Sequence, residues 1–450
     1  MAPPERRTRR RHRTDHSMKR NLMTNFSRLS KIVALTSVSA VALTACGGDA
    51  DGGDGGGDDV SLRFTWWGSD SRHETTQEII DAFNEEHPNI TVEGEYGDWA
   101  GYWDQLATQT AANDAPDIIQ MDVKYLREYA DRGALLDLSD VDTSTFDESI
   151  VENGTTEDGL FGITTGINSL AIAANPELFE EAGVEMPDDT TWTWEDYAEI
   201  SAQLSENLPE GSYGASQPNE PGAFQVWLRQ QGKHLTTQEG DLGFEVADAA
   251  EYLSYWKERV DEGGLPPASV ISENQTTGPD QALMGQGEAA LGSWWTNQLS
   301  ALTGASGVDL ELLRFPSETG SAEDNGLWYK SSMMMSVSAG TEHPEEAQEF
   351  VDYFVNSEEA AQLNLVDRGL PANEEVRESV VSELDGADQT SAEFVEAIGS
   401  ELGESEPVPA PGFSALQDIM FRYENEVFFD RQSPEEAAEQ MIAEMESEMS

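Results

Sequence analysis

Residues 60–93 read VSLRFTWWGSDSRHETTQEIIDAFNEEHPNITVE. The run 60–68 is rich in strand formers and closes on Gly68, so it reads as a β-strand. Ser71 with Glu74 three positions on forms a capping box, the signature of a helix start. Ile79, Ile80 and Phe83 then fall on one helical face. His87-Pro88-Asn89 breaks that helix, and Ile90-Thr91-Val92-Glu93 alternates as a second strand. Strand, helix and strand in this order predict an α/β architecture with parallel strands.

The pattern continues outward. Residues 102–112 are helical, Pro116-Asp117-Ile118-Ile119-Gln120-Met121 is a short buried strand, and residues 125–130 are a helix stopped by Gly133. The second half is richer in helix. Residues 176–182 end at Gly183, residues 194–204 follow Thr193 as a cap, and residues 247–260 end at Gly263-Gly264. Residues 344–356 begin with proline, which needs no amide partner at a first helical position. Ser433-Pro434-Glu435-Glu436 launches a C-terminal helix. No internal repeat is visible.

Composition narrows the function. The 450 residues hold 25 Lys+Arg and 87 Asp+Glu. Residues 1–45 contribute 10 of the basic and 2 of the acidic residues, so the remainder carries 15 − 85 = −70. A chain so acidic repels nucleic acid and anionic head groups, which sets nucleic-acid binding aside. The charge reads either as a hydrated surface that keeps the protein soluble or as adaptation to salty surroundings, where screening removes self-repulsion. Lysine is scarce: only Lys124, Lys233, Lys257 and Lys330 follow Cys46. Roughly 390 residues after the linker are too many for one ordinary core and predict two domains.

Cys46 is the single cysteine and stands in Leu43-Thr44-Ala45-Cys46-Gly47-Gly48. Basic residues Lys19, Arg20, Arg28 and Lys31, then the apolar run 32–43, then small residues are the layout of a secretory signal. The run falls short of the ~20 residues that span a bilayer. Leu-Thr-Ala-Cys resembles a bacterial lipobox, which implies that Cys46 is lipidated and becomes the first mature residue. Residues 1–45 are therefore read as a lipoprotein signal peptide, with Met18 or Met23 as alternative starts, and residues 46–59 as a Gly/Asp tether.

Enzyme signatures are sparse. Four histidines follow Cys46, far apart, without metal-ligand spacing, and neither metal nor cofactor is expected. Gly285-Gln286-Gly287-Glu288-Ala289-Ala290 imitates a dinucleotide fingerprint but follows a helix-like run, 281–284, rather than a strand. Carboxylates are abundant enough that counting does not exclude a glycosidase pair. Tryptophan is what stands out: Trp66-Trp67-Gly68-Ser69-Asp70, Trp99 with Tyr102 and Trp103, Trp227 before Arg229, Trp294-Trp295-Thr296-Asn297-Gln298, and Trp328-Tyr329-Lys330. Aromatic rings cover the apolar faces of a sugar while carboxylates and amides bond its hydroxyl rim. Tryptophan also packs cores, and adjacent residues of a strand point to opposite faces, so at most one of each pair should face a cleft.

The order of segments resembles the extracellular solute-binding proteins of bacterial sugar ABC importers, family 1, the group that includes the maltose-binding protein. The similarity runs over essentially the whole chain after Cys46. It includes Trp66-Trp67-Gly68, residues 83–92, Tyr102-Trp103-Asp104-Gln105-Leu106, Ala115-Pro116-Asp117-Ile118-Ile119, Gly133-Ala134-Leu135-Leu136-Asp137-Leu138 and Asp158-Gly159-Leu160-Phe161-Gly162-Ile163. Asn175-Pro176-Glu177-Leu178-Phe179, Thr193-Trp194-Glu195, the Gly285–Ala290 segment before Trp294-Trp295, Pro344-Glu345-Glu346-Ala347 and Gly369-Leu370-Pro371 complete it.

The resemblance implies a type II periplasmic-binding-protein fold: two α/β lobes, hinge strands and a central cleft. Matching segments place crossings near Gly166-Asn168, Leu312-Phe315 and Met334-Ser336. Lobe 1 is then 60–166 plus 313–334, and lobe 2 is 167–312 plus 335–450. It further implies capture of a mono- or oligosaccharide for a membrane permease, without catalysis, by a monomer anchored at the outer face of the membrane. Another solute such as a polyol phosphate, or an anchored polysaccharide hydrolase, are the alternatives. Site residues carried over are Trp67, Ser69, Asp122, Asn168, Trp295 and Asn297, with Trp227, Trp294, Trp328 and Lys330 added from the aromatic pattern. One departure stands out: Phe413-Ser414-Ala415-Leu416-Gln417 lacks the tryptophan that a maltose binder places in this region.

Overall fold

The computed structural model describes residues 59–449 except 69, 219, 238 and 404. The expected leader, Cys46, the tether through residue 58 and Ser69 lie outside the described residues.

Eleven strands are described: β1 (Val60–Trp67), β2 (Ile90–Gly97), β3 (Ile118–Met121), β4 (Thr155–Thr156), β5 (Gly159–Leu160), β6 (Ile163–Asn168), β7 (Leu170–Ala174), β8 (Leu291–Trp295), β9 (Glu311–Leu313), β10 (Lys330–Val337) and β11 (Leu370–Pro371). Six of them form one sheet in the order β11-β6-β10-β3-β1-β2. β1 runs parallel to β2 and β3, as the opening stretch predicts. β10 enters antiparallel between β3 and β6. A second sheet has the order β8-β7-β9, all antiparallel, and β4 with β5 makes a small hairpin.

One phase of β1, Val60, Leu62, Phe64 and Trp66, is apolar throughout, while the other, Ser61, Arg63, Thr65 and Trp67, turns apolar only at Trp67. Leu62, Phe64 and Trp66 pack against Ile79, Ile80 and Phe83 of the helix Asp70–Glu86, together with Phe350 and Phe354 of the helix Pro344–Asn356. Trp67 points the other way, to Tyr102, Leu106, Met121 and Leu126. The second sheet carries a larger core in which Trp194, Tyr197, Phe224, Trp227, Tyr252 and Trp256 meet.

Local signals set many helix ends. Asn175 Oδ1 accepts from the Glu177 and Leu178 amides, and Gly183 closes that helix at φ 66°. Thr193 and Asp196 cap each other reciprocally, as do Ser433 and Glu436. The helix Asp70–Glu86 begins one residue before its expected cap at Ser71. Residues 281–284, expected as a helix-like run, are turns and a bend instead.

The chain leaves the first sheet for the second at Ser169, the single residue between β6 and β7. It returns between β9 and β10. The third crossing departs from expectation. Met334, Met335 and Ser336 pair with Met121, Gln120 and Ile119 inside the first sheet. The helix Pro344–Asn356 stays there too, with Phe350 5.4 Å from Phe64, so residues 335–450 do not move as one piece to the second lobe. The change comes after the helix Glu374–Val381, because the next helix, Gly386–Ile398, packs on β9 and the helix Leu299–Ser306. Apolar burial decides this: the 344–356 helix offers Ala347, Phe350, Val351 and Phe354 to a core that β10 already lines.

Arg368 locks these pieces from beneath. It is fully buried and donates from Nε to Gln120 Oε1 at 2.9 Å, from Nη1 to Asn364 Oδ1 at 3.1 Å and from Nη2 to Thr76 Oγ1 at 2.7 Å. Gly166 permits the approach, since a Cβ there would come within 2.2 Å of the Arg368 carbonyl oxygen.

Candidate functional site

β3 ends at Met121, and Asp122 caps the helix Val123–Asp131 by accepting from the Lys124 amide at 2.9 Å. A carboxylate and an ammonium group are thereby fixed beyond the C-terminal end of a parallel strand, where α/β sheets bind ligands. The second sheet supplies the opposite wall. Trp295 ends β8, and the indole of Trp328 stands edge-on to it, with centroids 5.9 Å apart and planes at 88°. Lys330, the first residue of β10, holds Nζ 5.3 Å from the Trp295 ring centroid. Asp122, Lys124, Glu220, Gln225, Trp295, Trp328 and Lys330 enclose a cavity of about 210 Å³, with Pro407, Pro409, Phe413, Ser414 and Gln417 along one side.

The helix Gly222–Arg229 brings Glu220 and Gln225 to the cavity. A Cβ on Gly222 would lie 2.8 Å from Glu220 Oε1 and 3.2 Å from the Trp295 ring. Glycine at 222 thus lets the indole and the Glu220 carboxyl come close to the helix start. Gln225 Oε1 accepts from the Leu235 amide at 2.7 Å, which leaves its Nε2 aimed without a partner. Glu220 Oε1 is also buried and unpartnered. Buried polar atoms are nearly always bonded, so two orphans in one cavity call for hydroxyls or amides from outside the chain.

Electrostatics follow the enclosure. Burial pushes the Glu220 carboxyl above the usual carboxylate range, against the pull of Trp295, Lys124 and Lys330. Burial lowers the Lys330 ammonium, with Asp122 and Glu220 opposing and Lys124 assisting. Glu406 is held by Arg229 and by His234 Nδ1 at 3.1 Å. A second cavity of about 500 Å³ adjoins the first through Glu406 and Pro407 and is lined by Arg127, Glu152, Thr155, Thr156, Glu157 and Ser405.

Of the residues expected from sequence, Asp122, Trp295, Trp328 and Lys330 come together here. Trp67 does not line the cavity. It sits 5.4 Å from Trp103, which stacks on Tyr125 at 3.9 Å, so it backs the 123–125 turn from behind. Asn168 is buried opposite Lys330 in the β6–β10 pairing and lines, with Asn297 and Asp388, a separate space of about 30 Å³. Two expectations are corrected. Trp227 is buried among Trp194, Tyr252 and Tyr255 in the second-lobe core. Trp294 faces away from the cavity, onto Ala173, Met284, Leu299 and Leu302, as the alternation of β8 requires once Trp295 faces in. Glu220, Gln225, Lys124, Glu406, Pro407 and Pro409 escaped the sequence reading, which noted the stretch 413–417 only for the tryptophan it lacks. The scarcity of lysine was the one signal that could have pointed to Lys124.

Three comparisons bear on this arrangement. Residues 78–388 match the family model described as bacterial extracellular solute-binding protein. The chain is 26% identical over 359 residues to an uncharacterised lipoprotein of the oleD 5′ region of Streptomyces antibioticus, covering 76% of each chain. Among solved structures, a family 1 extracellular solute-binding protein from Alicyclobacillus acidocaldarius superposes with TM-score 0.72 at 27% identity, over 87% of this chain and 99% of that one. A periplasmic oligogalacturonide binding protein from Yersinia enterocolitica, solved with saturated digalacturonic acid, gives TM-score 0.73 at 21% identity, over 87% and 100%. The expected two-lobed α/β fold is that of these structures.

Proposed function

The chain belongs to the bacterial extracellular solute-binding proteins, and on that premise we propose that its cavity captures a carbohydrate and delivers it unaltered to the permease of an ABC importer. The observation that carries this reading is the corner of Trp295 and Trp328 beside the unpartnered Glu220 Oε1 and Gln225 Nε2. An apolar right angle with free hydrogen-bonding atoms at its base suits a molecule with apolar ring faces and a hydroxyl rim. The Yersinia protein binds an oligogalacturonide, and its likeness supports the fold that would hold an oligosaccharide.

The site comprises Asp122, Glu220, Gln225, Trp295, Trp328 and Lys330. Lobe 1 is assigned to 59–168 with 330–381, and lobe 2 to 170–329 with 386–449, which follows the sheets and the helices packed on them. Ser169, the junction at 329–330 and the segment 382–385 are then hinge positions. Cys46 is assigned the lipid anchor, and the relative named a lipoprotein supports it. Mass spectrometry of the mature N-terminus should find a lipidated Cys46 as first residue; Cys46 still joined to Ala45 overturns the anchor.

A melting-shift screen across mono- and oligosaccharides tests the reading. A bound sugar should raise Tm in proportion to the logarithm of its concentration above Kd and change tryptophan fluorescence. The sugar should be recovered intact. A released reducing end assigns the protein to the hydrolases instead, and no shift with any sugar removes carbohydrate as the ligand.

A further inference from the structure

The described residues contain four lysines, and the two outside the cavity are paired. Lys233 meets Asp248 at 2.5 Å, and Lys257 meets Asp261 at 2.5 Å and Asp430 at 2.9 Å. Lys124 and Lys330 line one cavity, and neither makes an ion pair among the described residues. Lys330 Nζ donates to the Ser331 carbonyl at 3.0 Å, and Lys124 Nζ makes no hydrogen bond among the described residues. Arg377 also lacks a carboxylate partner, but its guanidinium is satisfied by the Pro371 and Ala372 carbonyls at 2.7 and 2.9 Å. With 85 acidic residues after position 45 against 15 basic ones, an ammonium group rarely escapes a carboxylate by accident. Two that do so in one enclosed space, with Asp122 and Glu220 near but not paired to them, leave ammonium groups that a ligand carboxylate can engage directly.

Resting on the carbohydrate reading above, we propose that the cavity selects a sugar bearing one carboxylate, a hexuronate unit, whose carboxylate oxygens bridge Lys124 Nζ and Lys330 Nζ. Lys330 stands over the edge of the Trp295 corner, so a carboxylate held there sets the sugar ring beside the two indoles. Gln225 Nε2 and Glu220 Oε1 then face the hydroxyl rim.

Charge counting favours a monoanion. Arg229 and His234 already answer Glu406, so two ammonium groups face Asp122 and Glu220. Burial biases both the Glu220 carboxyl and the Lys330 ammonium toward their neutral forms, and a ligand carboxylate beside Lys330 would hold that ammonium charged. A phosphate would bring about −2 and meet the same two carboxyls, and the guanidinium best placed to fork onto it is committed to Glu406.

The test compares galacturonate with its methyl ester, the same sugar without charge, on the full chain by calorimetry. Galactose 1-phosphate and a neutral galactose disaccharide serve as further arms. The acid should bind at least about tenfold tighter than the ester, with an affinity that falls as salt rises. Lys124→Gln and Lys330→Gln should each erase most of that preference, read as the ratio of acid to ester affinity within each variant. Lys124 is half-buried on a helix first turn, so its variant folds even where Lys330→Gln does not. Equal binding of acid and ester, a preference that survives both substitutions, or tighter binding of the phosphate overturns the proposal while the carbohydrate reading stands. Failure of every sugar, charged and neutral, removes that reading itself.

Discussion

Two tandem tryptophans show what a residue can and cannot announce. In Trp66-Trp67 and in Trp294-Trp295 the backbone alternates, so the two rings of each pair serve different ends. The sequence made that split legible without saying which ring faces in. The answer depends on what the opposite face meets, and only the packing of β8 on Ala173 and Leu302 decides it. Substitution separates the roles. Trp295→Ala should weaken sugar binding by about 1–3 kcal/mol, by analogy with aromatic stacking on bases, at nearly unchanged Tm. Trp294→Ala should cost about 3–5 kcal/mol of stability, the range for emptying a large buried site. Calorimetric titration beside denaturant unfolding reads both, and equal effects of the two substitutions would remove the assignment of faces. Glu220 and Gln225 were illegible for another reason: among 87 acidic residues, one buried glutamate carries no mark in the sequence.

Elements bounded by side-chain chemistry were readable almost to the residue. Proline at the first position and a cap before it fix Pro176–Ala182 and Pro434–Glu448 without help from the rest of the molecule. β9 and β11, of three and two residues, hold no period to read and exist because neighbouring strands offer them an edge. Arg368 shows how such pieces are tied together across the sequence. Arg368→Leu would strand Gln120, Asn364 and Thr76, and should cost about 3 kcal/mol in urea unfolding. The helix Leu416–Phe428 carries a different load. Its Glu424 is buried, accepts from Gln275 Nε2 at 2.9 Å, and burial raises its carboxyl to about 8. An unfolded glutamate titrates near 4.5. Between those values the native state keeps a proton that the unfolded state has lost, so this group's contribution is full below about pH 4.5 and falls as pH rises through about 8. Glu424→Gln keeps the shape without the titration. Its Tm should match the parent near pH 4.5 and exceed it increasingly toward pH 8.5; a constant gap across that range would show that Glu424 is not the titrating group.

At the scale of the whole molecule, the two-lobed plan was legible from segment order, but the lobe boundary at the C-terminal side was not. Helices 344–356 and 386–398 are both amphipathic in pattern, and nothing within either names the sheet that covers it. Net charge, in contrast, is read directly and has a consequence for the whole body. After position 45 there are 85 acidic and 15 basic residues, so even if each cation took one carboxylate, 85 − 15 = 70 acids would remain unmatched. Salt acts on this body in two opposed ways. It weakens exposed pairs such as Arg422 with Glu444 and Arg431 with Glu426, each worth at most about 1 kcal/mol. It also screens the repulsion among the unmatched acids, shortening the Debye length from about 10 Å at 0.1 M to about 3 Å at 1 M. The attractive pairs are few and the repulsive ones many, so the second effect should dominate. Tm should therefore rise with sodium chloride over that range and level off once the screening length falls below the spacing of surface carboxylates. Chloride is the right anion because sulfate would add a general stabilisation through exclusion from the surface. A Tm that stays flat or falls would mean that the ion pairs outweigh the repulsion, and that the acidity serves hydration rather than life in salt.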